Sequence, residues 1–316
     1  MTILVWGHRG HRHHRDPAHY PDAEHENSMA TYLFALQNAM GLECDVVQSK
    51  RGTPYLAHDT DNLSDGFVFY ELNKHLDENS REMFGKNYIY QSDDVEIDKL
   101  TLRDSRHQHI PKLRHLLRVM RNYPDRILDL ELKGPNTVDG AVAIVEKAIE
   151  RNYIKPEQVI FSSFSFPTLI ELREKTGHRF RIGAIFDASH YVATPMYPEW
   201  PDFEGKPIPK DAFYIPFSVS VLKRDDIQKI VPDFFNIERG SLNMKKIEAI
   251  REAFPNAKII VWTMGEKHPD EDPLLIETIA EYDNTGMVFA VISDFPEIVQ
   301  TKLLESGMCE LKPPKG

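Results

Sequence analysis

Cysteine is almost missing: among 316 residues only Cys44 and Cys309 occur, with no Cys-x-x-Cys pair. That excludes a disulfide framework and a cysteine-built zinc or iron-sulfur centre, and it points to a reducing compartment. Long apolar runs are missing too, none approaching the ~18 residues that cross a bilayer. The opening MTILVWGHRG has no basic leader, no sufficiently long apolar stretch and no small-residue cleavage site. It reads as a first strand, and the chain as a cytoplasmic protein with no integral membrane segment. Positive charge is in deficit, with 38 Lys plus Arg against 49 Asp plus Glu and a formal charge of −11. The surface field should repel polyanions, so nucleic acid is a poor partner. A small anionic ligand requires that field to be reversed inside one cleft. Absent as well are the Gly-x-Gly-x-x-Gly fingerprint of a dinucleotide fold and any Gly-x-Ser-x-Gly elbow around Ser163.

What is present is alternation. Short β-branched and aromatic runs occur at Ile3 to His8, Leu42 to Val47, Ile127 to Leu132, Val159 to Phe164, Arg181 to Phe186, Phe234 to Glu238, Lys258 to Met264 and Gly286 to Ser293. Helical spacing separates them, as in Met29, Tyr32, Leu33, Leu36 and Met40, in Ala141, Val145 and Ala148, and in Met244, Ile247, Ile250 and Phe254. Asn27 and Ser28 suit the cap of the first helix, and Gly41 suits its left-handed stop. Pro167, Pro273 and Pro296 stand where first helical turns tolerate proline. Eight strands alternating with helices predict an α/β fold, a (β/α)₈ TIM barrel with an insertion after strand 2. Residues 1–316 read as one domain. The polar stretch 60–110 is the insertion over the active-site face, and the rest is close to the ~250 residues of a plain barrel. The long connection from about Asp187 to Pro232 should add a second wall to that face.

Chemistry-bearing residues gather at the strand ends. Glu43 and Asp45 lie two apart on one strand and so project together, with Cys44 pointing the other way; Glu131 and Lys133 follow the same rule. Barrel strands converge at their C-terminal ends, where active sites are built. Glu43, Asp45 and Glu131 can thus share a cation, and their hard oxygens suit Mg²⁺ or Ca²⁺, with Mn²⁺ and Zn²⁺ left open. Three acids around a divalent ion leave a net negative charge, which Arg9 and Lys133 correct for a phosphate ligand. His8 and His58 are the imidazoles placed for acid and base work near neutral pH. Six histidines between positions 8 and 25, interleaved with Arg9, Arg12 and Arg15, make a basic loop. An independent transition-metal site and a phosphate-gathering rim are both open to it, although neither spacing is diagnostic, and beyond Arg9 it reads as solvated and mobile. Phe164 and Phe186 read as barrel packing, whereas Trp262, at the end of strand seven, is expected at the mouth.

These residues carry a specific resemblance. His8-Arg9-Gly10, Glu26-Asn27-Ser28, Glu43-Cys44-Asp45, His58-Asp59, Ile110-Pro111-Lys112-Leu113, Glu131-Leu132-Lys133, Ser162-Ser163-Phe164, Trp262-Thr263-Met264 and Ile292-Ser293-Asp294-Phe295-Pro296 resemble the glycerophosphodiester phosphodiesterase family in order and spacing, from residue 4 to about 300. The resemblance implies a barrel of phospholipase C-like phosphodiesterase type with a divalent cation on Glu43, Asp45 and Glu131. It implies His8 and His58 as the acid/base pair, Arg9 and Lys133 at the phosphate, and Trp262 in the substrate pocket. The implied reaction is hydrolysis of a glycerophosphodiester to glycerol 3-phosphate and an alcohol. The rivals are a lysophospholipase D or sphingomyelinase D-like activity, and a non-catalytic barrel that binds a phosphate ligand. The chain departs from the family pattern at His25, at Ser28, in Leu63 to Gly66, at Arg114 and at Gly265, which bears on the alcohol side of the substrate.

Overall fold

The computed structural model describes residues 3–308 apart from 17, 59, 64–65, 70–71, 86, 104–105, 188–214, 265–268 and 273. Asp59, Gly265, Pro273, Cys309 and most of the connection from Asp187 to Pro232 therefore lie outside the described residues. The strands are β1 (Leu4–Gly7), β2 (Gly41–Gln48), β3 (Pro54–Leu56), β4 (Thr60–Leu63), β5 (Gly66–Phe69), β6 (Ile127–Lys133), β7 (Val159–Ser163), β8 (Arg181–Phe186), β9 (Phe234–Glu238), β10 (Lys258–Met264) and β11 (Val288–Ser293). Eight of them run parallel in the order β1, β11, β10, β9, β8, β7, β6, β2, and β2 pairs back to β1 at Trp6 with Gly41, which closes the barrel. The expected (β/α)₈ barrel is thus the architecture, with strand positions close to those read from the sequence.

Two apolar layers hold it. Side chains on the outer strand face, including Val5, Cys44, Leu130, Phe161 and Val291, are buried against the helices. A smaller interior cluster of Trp6, Ile160, Phe234, Ile260, Ala290 and Ile292 fills the barrel itself. Burying one such large side chain is worth ~1.5–3 kcal/mol, so the frame that carries the strand ends is stiff. Helix α1 (Met29–Asn38) is capped by Ser28, whose hydroxyl accepts from Thr31 N in a capping box. Gly41 is not the left-handed stop expected of it. Ala39 ends the helix in extended backbone, and Gly41 opens β2 where a Cβ would meet the Ile127 carbonyl and the Trp6 ring. Leu33 and Met244, both expected on buried stripes, are exposed.

Between β3 and β6 the chain forms the β4–β5 hairpin and short helices, including Glu78–Phe84 and Asp94–Ile97. This region has its own buried cluster, in which Leu72, Leu76, Phe84, Ile89, Ile97 and Leu100 pack on Val47 and Tyr55. β3 runs antiparallel to β2, with Leu56 opposite Val46. That pairing, extended by Ala57 N donating to Asp45 O at 3.1 Å, delivers His58 to the barrel mouth.

Candidate active site

The turn after β1 is shaped by two glycines. A Cβ on Gly7 would fall on the Gly10 carbonyl, and Gly10 itself sits at φ 83° against Thr31. Arg9 between them adopts φ 53°. This bend aims the Arg9 backbone N–H at Glu43 Oε2, 3.0 Å away, and its guanidinium at Glu26 Oε1 (2.7 Å) and Asp45 Oδ2 (3.0 Å). Burial alone would weaken the Arg9 proton, but Asp45, Glu26 and Glu43 outweigh it and raise its pKa.

Glu43, Asp45 and Glu131 are brought together as the strand registry requires, since Asp45 on β2 lies directly opposite Glu131 on β6. Ligand oxygens from the three come within 4.8 Å of one another. Lys133 Nζ is 2.5 Å from Glu131 Oε1 and 3.4 Å from Asp45 Oδ1, and it stands 5.6 Å over the Phe164 ring. Burial, joined by the charges of Asp45 and Glu131, pushes Glu43 well above the usual carboxylate range. Burial would raise Asp45 too, but Arg9, His58, Lys133 and a 2.8 Å hydrogen bond from Asn27 Nδ2 hold it below that range. The crowding is physical: even with Arg9 and Lys133 beside the trio, the charges of Asp45 and Glu131 disfavour ionisation of Glu43. Glu43 Oε1 and Asp45 Oδ1 are buried and accept no hydrogen bond, so the donor set fits a hard divalent ion.

His8 and His58 both line the same cavity of about 740 Å³, with Arg9, Glu43, Glu131, Lys133, Phe164 and Trp262. His8 Nδ1 lies 2.6 Å from Asp294 Oδ1, and its Nε2 is 4.0 Å from Glu43 Oε2. Burial pushes the His8 pKa down against the opposing pull of Asp294. Burial and Arg9 push that of His58 down further. Both imidazoles are therefore neutral near pH 7. For His8, Nδ1–H donates to the ionised Asp294, so the lone pair resides on Nε2.

Three supporting residues were not placed in the site from sequence. Asp294, just past β11, orients His8; its sequence signals were its place after the last strand and within the Ile292-Ser293-Asp294-Phe295-Pro296 run. Asn27 adopts φ 55° and binds Asp45, while Tyr32 donates to its Oδ1 at 2.7 Å, so its task is not the helix cap. Asp129, opposite Glu43 in register, accepts from Ser162 Oγ at 2.6 Å and Asn236 Nδ2 at 3.3 Å, and burial pushes its pKa up to about 7. Its signal was the Asp129-x-Glu131 alternation. Phe164, read as packing, instead lines the cavity edge-on to Trp262 with centroids 5.7 Å apart.

The histidine loop departs from expectation. Rather than a solvated segment, His11, His13 and His25 are buried. His13 stacks between Tyr20 (4.1 Å) and Phe295 (5.3 Å), and its Nε2 is 3.0 Å from Glu297. His25 stacks on His14 and reaches His75 of the insertion, with 2.9 Å between His25 Nε2 and His75 Nδ1. Imidazole rings here act as packing material, which composition alone does not distinguish from a solvated basic loop.

A search of curated protein sequences returns no match to this chain. Solved structures do match. A phosphodiesterase of Oleispira antarctica, in complex with the product sn-glycerol-3-phosphate, shares 18% identity with a TM-score of 0.61, covering 96% of this chain and 97% of its own. A glycerophosphodiester phosphodiesterase of Agrobacterium tumefaciens shares 20% at 0.61, over 95% and 100%. Another from Parabacteroides distasonis shares 15% at 0.62, over 97% and 98%. At such identities these agree on the barrel. The family model for the glycerophosphoryl diester phosphodiesterase family matches residues 8–298, a span from the first site histidine past Asp294, and the chain belongs to that family of enzymes.

Proposed function

We propose that this enzyme hydrolyses glycerophosphodiesters to glycerol 3-phosphate and an alcohol, with a divalent cation, Mg²⁺ or Ca²⁺, held by Glu43, Asp45 and Glu131. The observation that carries the reading is the pair of buried carboxylate oxygens that accept no hydrogen bond, Glu43 Oε1 and Asp45 Oδ1, beside the cavity that two neutral imidazoles line. A bound cation supplies Lewis acidity there, drawing charge from a phosphate oxygen and easing deprotonation of a hydroxyl. Arg9 and Lys133 flank the acids and offset the charge of the diester. His8, fixed as the Nδ1–H tautomer, presents Nε2 to the cavity as a proton acceptor. His58 faces it from the β3 side, so that one imidazole takes the nucleophile's proton while the other, once protonated, returns one to the leaving alkoxide. Trp262 and Phe164 form an apolar wall suited to the carbon side of glycerol.

Residues 1–316 act in this reading as one catalytic unit, with 60–110 as an insertion over the site, and His75 brings that insertion to the cavity edge. Among the described lining residues the apolar side chains are Phe164, Ile185, Trp262 and Ile292, which suits a small polar diester better than the acyl chain of a lysophospholipase D or sphingomyelinase D substrate. No described helix is long and apolar enough to cross a membrane. The test is glycerol 3-phosphate release from glycerophosphocholine, for the wild type and His8→Ala, with and without chelator. Turnover lost on chelation and restored by added Mg²⁺ or Ca²⁺ supports the reading; turnover indifferent to both chelator and substitution defeats it.

A further inference from the structure

The cavity has two unlike walls. From β7 to β10 come Phe164, Ile185 and Trp262; from the turn after β1 and from the insertion come Arg12, His14, Arg15 and His75. Charge on the second wall is layered. Its acids are the more deeply buried, Asp294 at 1% exposure and Glu26, which also lines the cavity, at 3%, while the Arg15 side chain is 51% exposed, His14 21% and Arg12 13%. Arg12 Nε is 2.6 Å from Glu26. Arg15 meets Asp294 only at 3.9 Å, an acid already engaged by His8 at 2.6 Å. His14 Nδ1 is buried without a hydrogen-bond partner. The phosphodiester does not need these groups: a divalent cation with three carboxylates, Arg9 and Lys133 already balances one phosphate charge. Burial, against the pull of Glu26, holds His14 down to about 3 and His75 to about 4, so both are neutral near pH 7 and offer ring nitrogens to an anion, while the charge comes from Arg12 and Arg15.

We propose that Arg12, His14, Arg15 and His75 form a second anion subsite, which selects diesters whose leaving alcohol itself carries a negatively charged group such as a phosphate monoester. The assignment rests on the glycerophosphodiesterase reading for the orientation of the substrate. With the diester at the acid trio and glycerol against Trp262 and Phe164, the other half of the molecule faces the basic wall. The overall charge of −11 makes this reversal local, and local fields in low-dielectric clefts are the ones that select.

The test compares two diesters with the same glycerol half, glycerophosphocholine and glycerophosphoglycerol phosphate, in wild type, Arg15→Gln and Arg15→Glu. Wild type should favour the anionic diester in kcat/KM, and Arg15→Gln should cut that value about ten-fold, the size of one charge-assisted contact. Glycerophosphocholine should change less than about two-fold, and Arg15→Glu should reverse the preference. Equal losses on both substrates, or no wild-type preference, overturn the subsite while leaving the hydrolase reading intact. If wild type turns over neither diester, the hydrolase reading fails. The subsite is then judged by equilibrium titration of glycerol 1,3-bisphosphate against glycerol 3-phosphate with Mg²⁺ present. Tighter binding of the bisphosphate that Arg15→Gln abolishes sustains it, and equal affinities end it.

Discussion

Two clusters near the mouth of this barrel are built from residue types that bind metals, and they differ in what satisfies them. Glu43, Asp45 and Glu131 converge as acids, with Glu43 Oε1 and Asp45 Oδ1 accepting no hydrogen bond, and among the described residues they are the group whose ligand atoms all fall within 4.8 Å. The imidazoles after β1 also converge, yet His13 is closed by Tyr20, Phe295 and Glu297, and His25 by His14 and His75. Crowded acids favour the entry of a cation, whereas rings stacked on aromatic neighbours are already packed. Proximity alone does not mark a site; unmet electrostatic demand does.

The comparison breaks most sharply at Glu43. Replacing it by glutamine keeps the shape and removes one of three crowded charges. Activity should fall by about 10³-fold or more if a cation orders the phosphate there, while the chelated protein should be no less stable, because a carboxyl whose folded pKa is raised costs stability at neutral pH. Wild type should gain roughly 2.7 kcal/mol in Mg²⁺ at ~100 times its dissociation constant, and Glu43→Gln much less. Thermal midpoints with and without the ion, beside initial rates, check this. An equal shift in both proteins would mean that the ion binds elsewhere.

Asp294 joins the two regions, since it orients His8 of the site and approaches Arg12 and Arg15 of the loop at 3.8 and 3.9 Å. Asp294→Asn should lower kcat on the order of 10²-fold, because the amide no longer holds His8 in its Nδ1–H tautomer, with KM changed less. A structural role alone would not move a spectroscopic signature. The low-field imidazole proton expected for the 2.6 Å His8–Asp294 bond should vanish in this variant, and its persistence would remove Asp294 from the mechanism.

Much of this was readable in the residues. Alternation located the eight strands, and the two-residue repeat put Glu43 with Asp45 and Glu131 with Lys133 because a pleat leaves no alternative. His58 could be tied to the mouth by its short run after Arg51-Gly52. The rest depended on distance in sequence. The His8 to Asp294 pair spans 286 positions, and no local period encodes it. Asn27 looked like a helix cap because Asn-Ser before an apolar run is one; only its left-handed backbone turns the amide onto Asp45. The histidine loop was misread because imidazole is polar by composition and aromatic by shape, and Phe34, Tyr20 and Phe295 decide which property prevails.

The quietest difference between the two clusters is how each answers acid. Burial depresses His11 to about 2, His14 to about 3 and His75 to about 4, helped by His13 and His14 at His11 and by His25 and Arg12 at the other two, and opposed by Glu26 at His14 and His75. Each group has a folded pKa below its unfolded value of about 6.5, so the unfolded chain binds the extra proton first. The stability these neutral rings contribute is present above pH ~6.5 and is lost as pH falls toward the folded values, at up to about 1.4 kcal/mol per pH unit for a well-buried ring such as His11. Thermal midpoints should decline from about pH 7 to about pH 5, a window in which most ordinary carboxylates have yet to titrate. His11→Phe, which keeps the edge contact with Phe34 at 4.7 Å but cannot protonate, should flatten that slope by about one proton and leave turnover at neutral pH within about two-fold. An undiminished slope would show that the buried rings are not the acid-sensitive part of the molecule.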